Sequence, residues 1–282
     1  MLRIAVPNKG SLAEPAAALL REAGYAERRT GRELVLHDRA NDVELYFLRP
    51  RDIAVYVGAG TLDAGITGRD LLLDSGADAE EVLELGFASS TFRFAARAGE
   101  APADVTGLGG RRVATSYDGL VRAHLAEHGV DAPVVRLDGA VEISVALGVA
   151  DVIADVVETG STLRAAGLEV FGDPILRSEA VLVQRRGVSA PEGLDVLVRR
   201  VQGVLVAREY VMVDYDVHVD LLDAASAVTP GLESPTVSPL RDASYVAVRS
   251  MVRRGEVNAV MDRLYEIGAR AILVTTVHAC RI

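Results

Sequence analysis

Short apolar runs rich in β-branched residues alternate with longer helical patterns over about the first 210 residues of this 282-residue chain. Strands that alternate with helices in this way are typical of α/β proteins, in which each helix connects one strand to the next. The first run, Arg3 to Val6, leads into a Pro-Asn-Lys-Gly turn and then a helical pattern. We therefore predict an α/β fold with largely parallel strands, whose ligands gather beyond the carboxyl ends of those strands.

Two segments of the chain resemble each other. Gly60 to Ile66 and Gly148 to Ala154 both indicate a helix end, a Gly-x-x-Asp turn and a buried strand, followed by another turn and helix. Their separation of 88 residues is too wide for a solenoid repeat, so we predict two similar lobes that face a cleft. Thr67 to Asp70 and Val157 to Thr162 would line this cleft. The alternative is a chance similarity between two strand-helix units.

The pattern changes after about residue 210. Strands are predicted near 210–219, 236–240, 245–252 and 271–277, with helices near 221–227 and 256–267. The resulting order, βαββαβ, is that of a ferredoxin-like unit, a common small regulatory or interface module. We place the first lobe at residues 1–92 and 180–210, the second lobe at 93–179, and this third domain at 211–282.

Composition excludes several classes of protein. Half of the residues are apolar and a quarter are charged, which is typical of a globular rather than a disordered or fibrous chain. No apolar run approaches the roughly 18 residues that cross a bilayer, so no membrane partner is expected. The net charge of −10 repels nucleic acid, and an anionic substrate would need a local basic pocket. The single cysteine, Cys280, fits a reducing cytoplasm.

The most specific local signal is the segment from Ala150 to Arg164, in which a buried strand ends near Asp155 and a Thr-Gly-Ser-Thr turn opens a helix. The amides of such a turn, three hydroxyls and the helix dipole favour an anion such as a phosphate monoester. Asp155 would accept hydrogen bonds from the vicinal hydroxyls of an attached sugar. The pattern thus indicates a site for a 5-phosphoribosyl group. The alternative is that Ser161 or Thr162 only caps a helix.

Basic residues follow several of the predicted strands. Lys9, Arg49, Arg51 and Arg69 all lie at predicted strand or loop ends of the first lobe, where together they would form the local basic pocket. Alternatively, each is a solvated surface charge. Lys9 does not belong to a P-loop, because the upstream glycine of that motif is absent, and no dinucleotide-binding glycine fingerprint is present.

The sequence His124-Leu-Ala-Glu127-His128 matches the H-x-x-E-H pattern of one class of zinc peptidases. The helix that carries it is short and is predicted to end at Gly129, so that His128 falls in the last turn, where the helix dipole favours a cation without any metal. We therefore expect no zinc site. The chain also lacks the sequence signatures of serine and cysteine nucleophiles, so covalent catalysis is not expected.

Five blocks of sequence together resemble one known family. They are VPNKGSL at 6–12, FLRPRDI at 47–53, DAGITGRDLL at 63–72, RLDGAVEISVALGVADVIADVVETGSTL at 136–163, and TPGLESPT at 229–236. In colinear order over the whole chain, these blocks are similar to those of the ATP phosphoribosyltransferase family. The length and the C-terminal domain resemble the long form of that family.

This resemblance implies an activity and an architecture. The family joins N1 of the adenine of ATP to C1 of phosphoribosyl pyrophosphate, with Mg²⁺, in the first step of histidine biosynthesis. Its catalytic part has two lobes like those of periplasmic binding proteins, and its C-terminal domain senses histidine. The resemblance also implies a cytoplasmic homo-oligomer that exchanges between dimers and hexamers, with histidine and AMP as effectors.

The resemblance further implies site residues. Those for phosphoribosyl pyrophosphate are Asp155, Glu158, Thr159, Gly160, Ser161 and Thr162. Those for ATP or pyrophosphate are Lys9, Arg49, Arg69, Asp70 and Tyr117. Those for histidine are Asp216, Leu232, Ser234, Thr236 and Ala271. Lys9, Glu142 and Asp155 are the candidate catalytic residues, and the phosphates rather than a dedicated protein site would carry Mg²⁺.

Two other functions fit parts of the same pattern. A phosphoribosyltransferase of base salvage would use the same turn but would convert a free purine or pyrimidine and ignore ATP. A noncatalytic small-ligand sensor with binding-protein lobes would bind histidine or a nucleotide without turnover. The basic residues favour a transferase over a sensor, because a sensor does not need a basic cleft for two polyphosphates.

Overall fold

A computed structural model of the chain describes residues 1–25, 33–157 and 160–281. It divides into two compact units. The first unit comprises Met1–Arg21 and Tyr25–Asp195, and the second comprises Glu22–Gly24 and Val196–Ile282.

The first unit is built from short strands and helices in alternation. Its strands are β1 (Leu2–Pro7), β2 (Val35–Asp38), β3 (Val43–Leu48), β4 (Ala64–Gly68), β5 (Ala79–Glu84), β6 (Ser90–Arg97), β7 (Val113–Thr115), β8 (Val134–Arg136), β9 (Val152–Val157), β10 (Leu168–Ser178) and β11 (Ala180–Arg185). Its α-helices are α1 (Ala13–Glu22), α2 (Pro50–Gly58), α3 (Arg69–Ser75), α4 (Asp118–Glu127) and α5 (Ser161–Ala165).

Two sheets divide this unit into two lobes, as predicted. Lobe I contains the sheet β2-β3-β1-β4-β11-β5, and lobe II contains the sheet β10-β6-β9-β7-β8. The prediction of largely parallel strands is wrong, because among the described strands only the pairs around β1 and β7 are parallel. The chain passes between the sheets from β5 to β6 and from β10 to β11, and these strands pair antiparallel with their neighbours.

The two similar segments have the same hydrogen bonds in both lobes. In lobe I, Asp63 precedes β4 and its amide donates to the Arg3 carbonyl, while its carboxylate accepts from the amide, Nε and Nη2 of Arg3. In lobe II, Asp151 precedes β9 and makes the same four contacts with Arg112. Each pair joins the amino ends of two neighbouring parallel strands, β1 with β4 and β7 with β9. The similarity between the segments therefore reflects a shared arginine-aspartate pair that joins neighbouring parallel strands.

The first glycines of the two segments also have similar backbone conformations. Gly60 and Gly148 have φ angles of 71° and 69°, in the left-handed region that favours glycine. The segments differ just before the glycine. Lobe I has the α-helix α2, whereas the helix of lobe II is the 3-10 helix Val141–Ile143, which ends before the turns that lead to Gly148.

Apolar side chains fill the space between the sheets and their helices. In lobe I, Ile53 and Val57 of α2 are fully buried against the sheet, in a cluster that includes Ala5. In lobe II, the ring of Phe92 packs with residues of α4, while Leu163 of α5 belongs to a separate cluster. These helices thereby fix the loops that follow the central strands.

The second unit contains a βαββαβ domain. The helix α6 (Leu194–Glu209) precedes this domain. The elements of the domain are β12 (Tyr210–His218), α7 (Leu222–Val228), β13 (Thr236–Pro239), β14 (Tyr245–Arg253), α8 (Val257–Ile267) and β15 (Arg270–Thr276). The sheet order β13-β14-β12-β15 is antiparallel throughout, which confirms the ferredoxin-like prediction. Alternate residues of β12 are buried with those of α8, so the sheet has one covered face. The residue boundaries placed between the three domains stay a prediction.

Among the described residues, no helix combines the length and the apolar character that a bilayer crossing requires.

The close packing of β4 on α2 gives a first test. A Cβ on Gly65 would lie 2.5 Å from Cγ2 of Ile53 and 3.1 Å from Cβ of Ala5. Gly65→Ala should therefore lower the free energy of unfolding by about 1–3 kcal/mol, the usual cost of overpacking a core. Urea denaturation would measure it. Gly109→Ala is the control, because no atom lies within 4 Å of its added Cβ, and equal losses in both variants would contradict the packing argument.

Candidate functional site

Loops from both lobes line a cavity of about 220 Å³. Its walls are the turn after β1, the starts of α2 and α3, the segments that pass between the sheets, and two further residues of lobe II, Tyr117 and Val156. The lining residues are Lys9, Gly10, Ser11, Leu12, Pro50, Gly68, Asp70, Leu71, Ala88, Ser90, Ser178, Glu179, Tyr117 and Val156. The cavity lies at the carboxyl ends of central strands, where ligands of open α/β sheets bind. The structure thus brings together Lys9, Asp70 and Tyr117 of the predicted site.

Asp70 is held rigidly at the start of α3. Its side chain is buried, and its Oδ1 accepts a hydrogen bond of 2.9 Å from the hydroxyl of Ser178. The amide of Asp70 donates to the same hydroxyl at 3.0 Å. Since Ser178 ends β10, where the chain returns to lobe I, this pair connects the cavity wall to one crossing between the lobes.

Tyr117 lies immediately before α4. Its ring meets Phe92 edge to face at 5.0 Å between centroids, and the guanidinium carbon of Arg51 lies 4.7 Å from the ring centre. Burial, reinforced by the nearby carboxylates of Asp70 and Asp155, raises the pKa of the Tyr117 phenol well above its usual range. The phenol is therefore neutral at physiological pH and offers both a hydrogen-bond donor and an aromatic surface.

The predicted cations occupy different environments. Lys9 is exposed and lines the cavity, whereas Arg49 is exposed just before α2 and is not among the cavity-lining residues. Arg69 pairs with three carboxylates, of Glu81, Glu84 and Glu179, at 2.9, 2.7 and 3.5 Å. The structure therefore does not bring the Arg69 guanidinium into the cavity, although Arg69 precedes Asp70 in sequence.

Asp155 lies in β9, one residue before the cavity-lining Val156. Burial raises the pKa of its carboxyl above the usual range, the hydrogen bond of 2.8 Å from the Val156 amide opposes the rise, and the like charge of Glu142 adds to it. The structure thus places Glu142, in the 3-10 helix Val141–Ile143, within electrostatic reach of Asp155.

The turn predicted to bind phosphate follows β9. Gly160 has a φ of 68°, and the exposed Ser161 and Thr162 begin α5. The next residue, Leu163, is buried and anchors this helix in lobe II. The predictions for Glu158 and Thr159 lie outside the described residues.

The H-x-x-E-H sequence lies away from the cavity. Helix α4 ends at Glu127 and His128 is its C-cap, so the motif is at the opposite end of α4 from Tyr117. Potential ligand atoms of His124, Glu127 and His128 lie within 4.8 Å of one another. Six residues of α4 lie between Tyr117 and His124, a distance of about 10 Å along the helix axis. None of the three residues of this cluster lines the cavity.

The predicted histidine-binding residues all belong to the second unit. Asp216 of β12 pairs in register with Arg270, and Ala271 follows at an irregularity of β15, with a φ of 49°. Thr236 begins β13, two strands from β12, or about 10 Å across the sheet. Leu232 and Ser234 lie in the segment that leads into β13.

Sequence reasoning missed three residues that shape the cavity, namely Ser90, Ser178 and Glu179. They lie where the chain passes between the lobes, and no local motif marks such positions. Asp74 of α3 was also missed, although its carboxylate contacts α4 of the other lobe.

Comparisons with known proteins agree with one another. A family model described as ATP phosphoribosyltransferase matches residues 49–203, and one described as HisG, C-terminal domain, matches residues 207–279. The chain is 66% identical to an ATP phosphoribosyltransferase of Pseudarthrobacter chlorophenolicus and 63% identical to one of Streptomyces coelicolor, with 100% of each chain covered. A solved ATP phosphoribosyl transferase (HisG:HisZ) complex from Thermotoga maritima is 25% identical, with a TM-score of 0.62, over 72% of this chain and 97% of that one.

The raised pKa of Asp155 predicts a gain in stability on its replacement. A carboxyl whose pKa is raised by folding stabilises the protein most at low pH, and this contribution is lost as pH rises through the folded-state value. Asp155→Asn should thus raise Tm by about 2–4 °C at pH 7.5 and have little effect below the usual aspartate range. Thermal unfolding across pH would measure this.

Asp151→Asn is the matched control. Its hydrogen bonds with Arg112 lower the pKa of Asp151, so its contribution is present at neutral pH and is lost as pH falls. This variant should lower Tm at pH 7.5, the opposite sign. A fall in Tm for Asp155→Asn at pH 7.5 would contradict the burial argument.

Proposed function

The chain belongs to the ATP phosphoribosyltransferase family, and on that basis we propose how its cleft holds the two substrates. The enzyme catalyses the first step of histidine biosynthesis. The observation that carries the proposal is the cavity shared by the lobes, which collects Lys9, Asp70 and Tyr117 beside Asp155. ATP binds on the side of Tyr117 and Lys9, and phosphoribosyl pyrophosphate binds across Asp155 and the turn after β9.

The reaction forms a bond between adenine N1 of ATP and C1 of the ribose, and breaks the bond between C1 and pyrophosphate. Both electrons of the broken bond leave with pyrophosphate, and the lone pair of N1 forms the new bond. As positive charge develops on the ribose, N1 attacks it directly, so no protein nucleophile is needed. The protein contributes by positioning both reactants and by excluding water.

Asp155 and Glu142 stabilise the developing ribose cation. Burial raises the pKa of Asp155 because the ionised carboxylate has lost water, and this loss strengthens its attraction to a nearby positive charge. The second carboxylate, of Glu142, adds to the negative potential. In the ground state the Asp155 oxygens accept hydrogen bonds from the ribose hydroxyls.

The phosphate groups are held by the turn and by cations. The amides and hydroxyls of Gly160, Ser161 and Thr162 bind the 5-phosphate, as the family resemblance implies. Lys9 faces the departing pyrophosphate, and Arg49 extends this positive region from the start of α2. Arg69 can contribute to substrate phosphates only if one of its three carboxylate partners releases it.

The donor set of the cleft fits Mg²⁺, because this ion prefers carboxylate and phosphate oxygens. The substrate polyphosphates would carry Mg²⁺, and the carboxylates of Asp70 and Glu142 would be available to hold it. When bound, it neutralises the charge of the leaving pyrophosphate.

The C-terminal domain binds histidine and carries feedback inhibition. Asp216 pairs with the amino group or imidazole of the effector, and Leu232, Ser234, Thr236 and Ala271 complete its pocket. Histidine inhibits because it favours one state of a cytoplasmic homo-oligomer that exchanges between dimers and hexamers. AMP competes for the ATP side of the cleft.

Gly160→Val tests the phosphate turn. Valine is strained at a φ of 68°, and its Cβ would lie 3.3 Å from Nη1 of Arg164. The KM for phosphoribosyl pyrophosphate should rise at least about 10-fold, equivalent to the loss of one charge-assisted hydrogen bond, while histidine binding is unchanged. Initial-rate kinetics and calorimetry would measure both.

Gly167→Val is the control for Gly160→Val, because Gly167 has a φ of 72° beyond the other end of α5 and no atom within 4 Å of an added Cβ. It has a similar backbone strain but lies outside the turn. The same rise in KM in both variants would refute the phosphate site.

Asp216→Asn tests the effector site. Loss of a charge-assisted hydrogen bond should raise the histidine concentration for half-inhibition about 10-fold or more, without a change in kcat. Asp214→Asn is the matched control, since Asp214 lies on the same strand but pairs with Arg249 at 2.7 Å. Unchanged inhibition in Asp216→Asn would refute this pocket.

A further inference from the structure

Asp74 of lobe I caps a helix of lobe II. Its Oδ1 accepts hydrogen bonds from the amides of Gly119 and Leu120, at 3.0 and 3.2 Å, in the first turn of α4. Its Oδ2 accepts one from Nη1 of Arg51 at 2.6 Å. The Asp74 side chain is only 8% exposed, so water does not replace these partners easily.

The cap meets a specific need of α4. The first amides of a helix have no acceptor within the helix, and Tyr117, the N-cap residue of α4, provides no side-chain cap. A carboxylate at this positive helix end is favourable, whereas Asp74 in the last turn of its own helix α3 is unfavourable. The stabilising contacts of Asp74 are therefore with Arg51 of its own lobe and with α4 of the other lobe.

The close approach of α3 and α4 leaves no room for a side chain at Gly119. A Cβ there would lie 2.3 Å from the Asp74 carbonyl oxygen. Helices α3 and α4 are thus in direct contact at the point where the Asp74 carboxylate accepts the hydrogen bonds of the α4 amides.

Both oxygens of the Asp74 carboxylate help to fix the position of Tyr117. Through Oδ1 it fixes the helix turn that Tyr117 begins, and through Oδ2 it holds the guanidinium of Arg51, whose carbon lies 4.7 Å from the Tyr117 ring centre. The ring is also fixed by Phe92 at its edge. A single acidic residue of lobe I therefore fixes both the backbone and the ring of Tyr117 in lobe II.

We propose that Asp74 is a positioning residue for the reaction: it joins lobe I to α4 of lobe II and, with Arg51, holds the Tyr117 ring in the orientation that binds ATP. The inference rests on the proposed role of Tyr117 in ATP binding. Asp74 is absent from the cavity lining and acts through Arg51 and Tyr117 rather than on the substrates.

Steady-state kinetics of a graded set of variants tests this proposal. Asp74→Ala removes both contacts and should raise the KM for ATP about 10-fold, with the KM for phosphoribosyl pyrophosphate within about 2-fold. Asp74→Asn keeps an oxygen for the α4 amides but loses the carboxylate partner of Arg51, so a smaller rise, of about 3-fold, is expected. Arg51→Lys keeps the charge and should stay within about 2-fold, whereas Arg51→Ala should match Asp74→Asn.

Asp78→Asn serves as the control. Asp78 is also an acidic residue of lobe I, but its side chain is exposed and its ion pair with Arg186 is long, at 3.9 Å. It should leave both KM values unchanged. A merely structural role for Asp74 would lower the amount of folded enzyme, and hence the apparent kcat, without a selective change in the KM for ATP.

A double-mutant cycle with Tyr117→Ala separates this inference from the proposed function. Asp74→Ala should add no further rise in the KM for ATP once Tyr117 is alanine. An additive rise, or no rise in the single variants of Asp74, would overturn the positioning role while leaving Tyr117 in ATP binding. An unchanged KM for ATP in Tyr117→Ala alone would instead overturn the proposed role of Tyr117.

Discussion

Arg3 with Asp63 in lobe I, and Arg112 with Asp151 in lobe II, fix the pairing of the central parallel strands. The side chains of both pairs are partly exposed, and such ion pairs contribute only about 0–1 kcal/mol to stability. Their importance is geometric, because two of the four contacts in each pair hold the strand backbones in one register. The carboxyl ends of those strands are thereby aligned, and the loops that follow them are placed accordingly.

The cleft depends equally on contacts between distant segments. Ser178 at a crossing between the lobes holds Asp70, and Asp74 of lobe I holds the start of α4 in lobe II. Buried polar contacts of this kind are costly to break because each leaves a partner unsatisfied. The walls of the cavity therefore derive their rigidity from the connection between the lobes as much as from the core of either lobe.

The two lobes and the C-terminal domain could be predicted from the sequence because the signals that indicate them are local. The Gly-x-x-Asp repeat predicted two lobes, and the spacing of residues after 210 predicted the ferredoxin-like domain. The mixed sheets were mispredicted, since strand direction at β6 and β11 is set by how the chain crosses between sheets. Asp74 and Ser178 were missed for the same reason, because their partners lie 45 and 108 residues away. The roles of Asp155 and the turn after it stay predictions.

The arginine-aspartate pairs lie at the amino ends of the strands, whereas the cavity lies at the carboxyl ends, about one strand length or 17 Å away. An insertion or exchange in the loops near Lys9 or Gly160 would therefore leave strand alignment untouched. The strand framework is thus suited to loop grafting. A redesigned acceptor pocket could take another nucleobase in place of adenine, while the arginine-aspartate pairs at the opposite ends of the strands continue to align them.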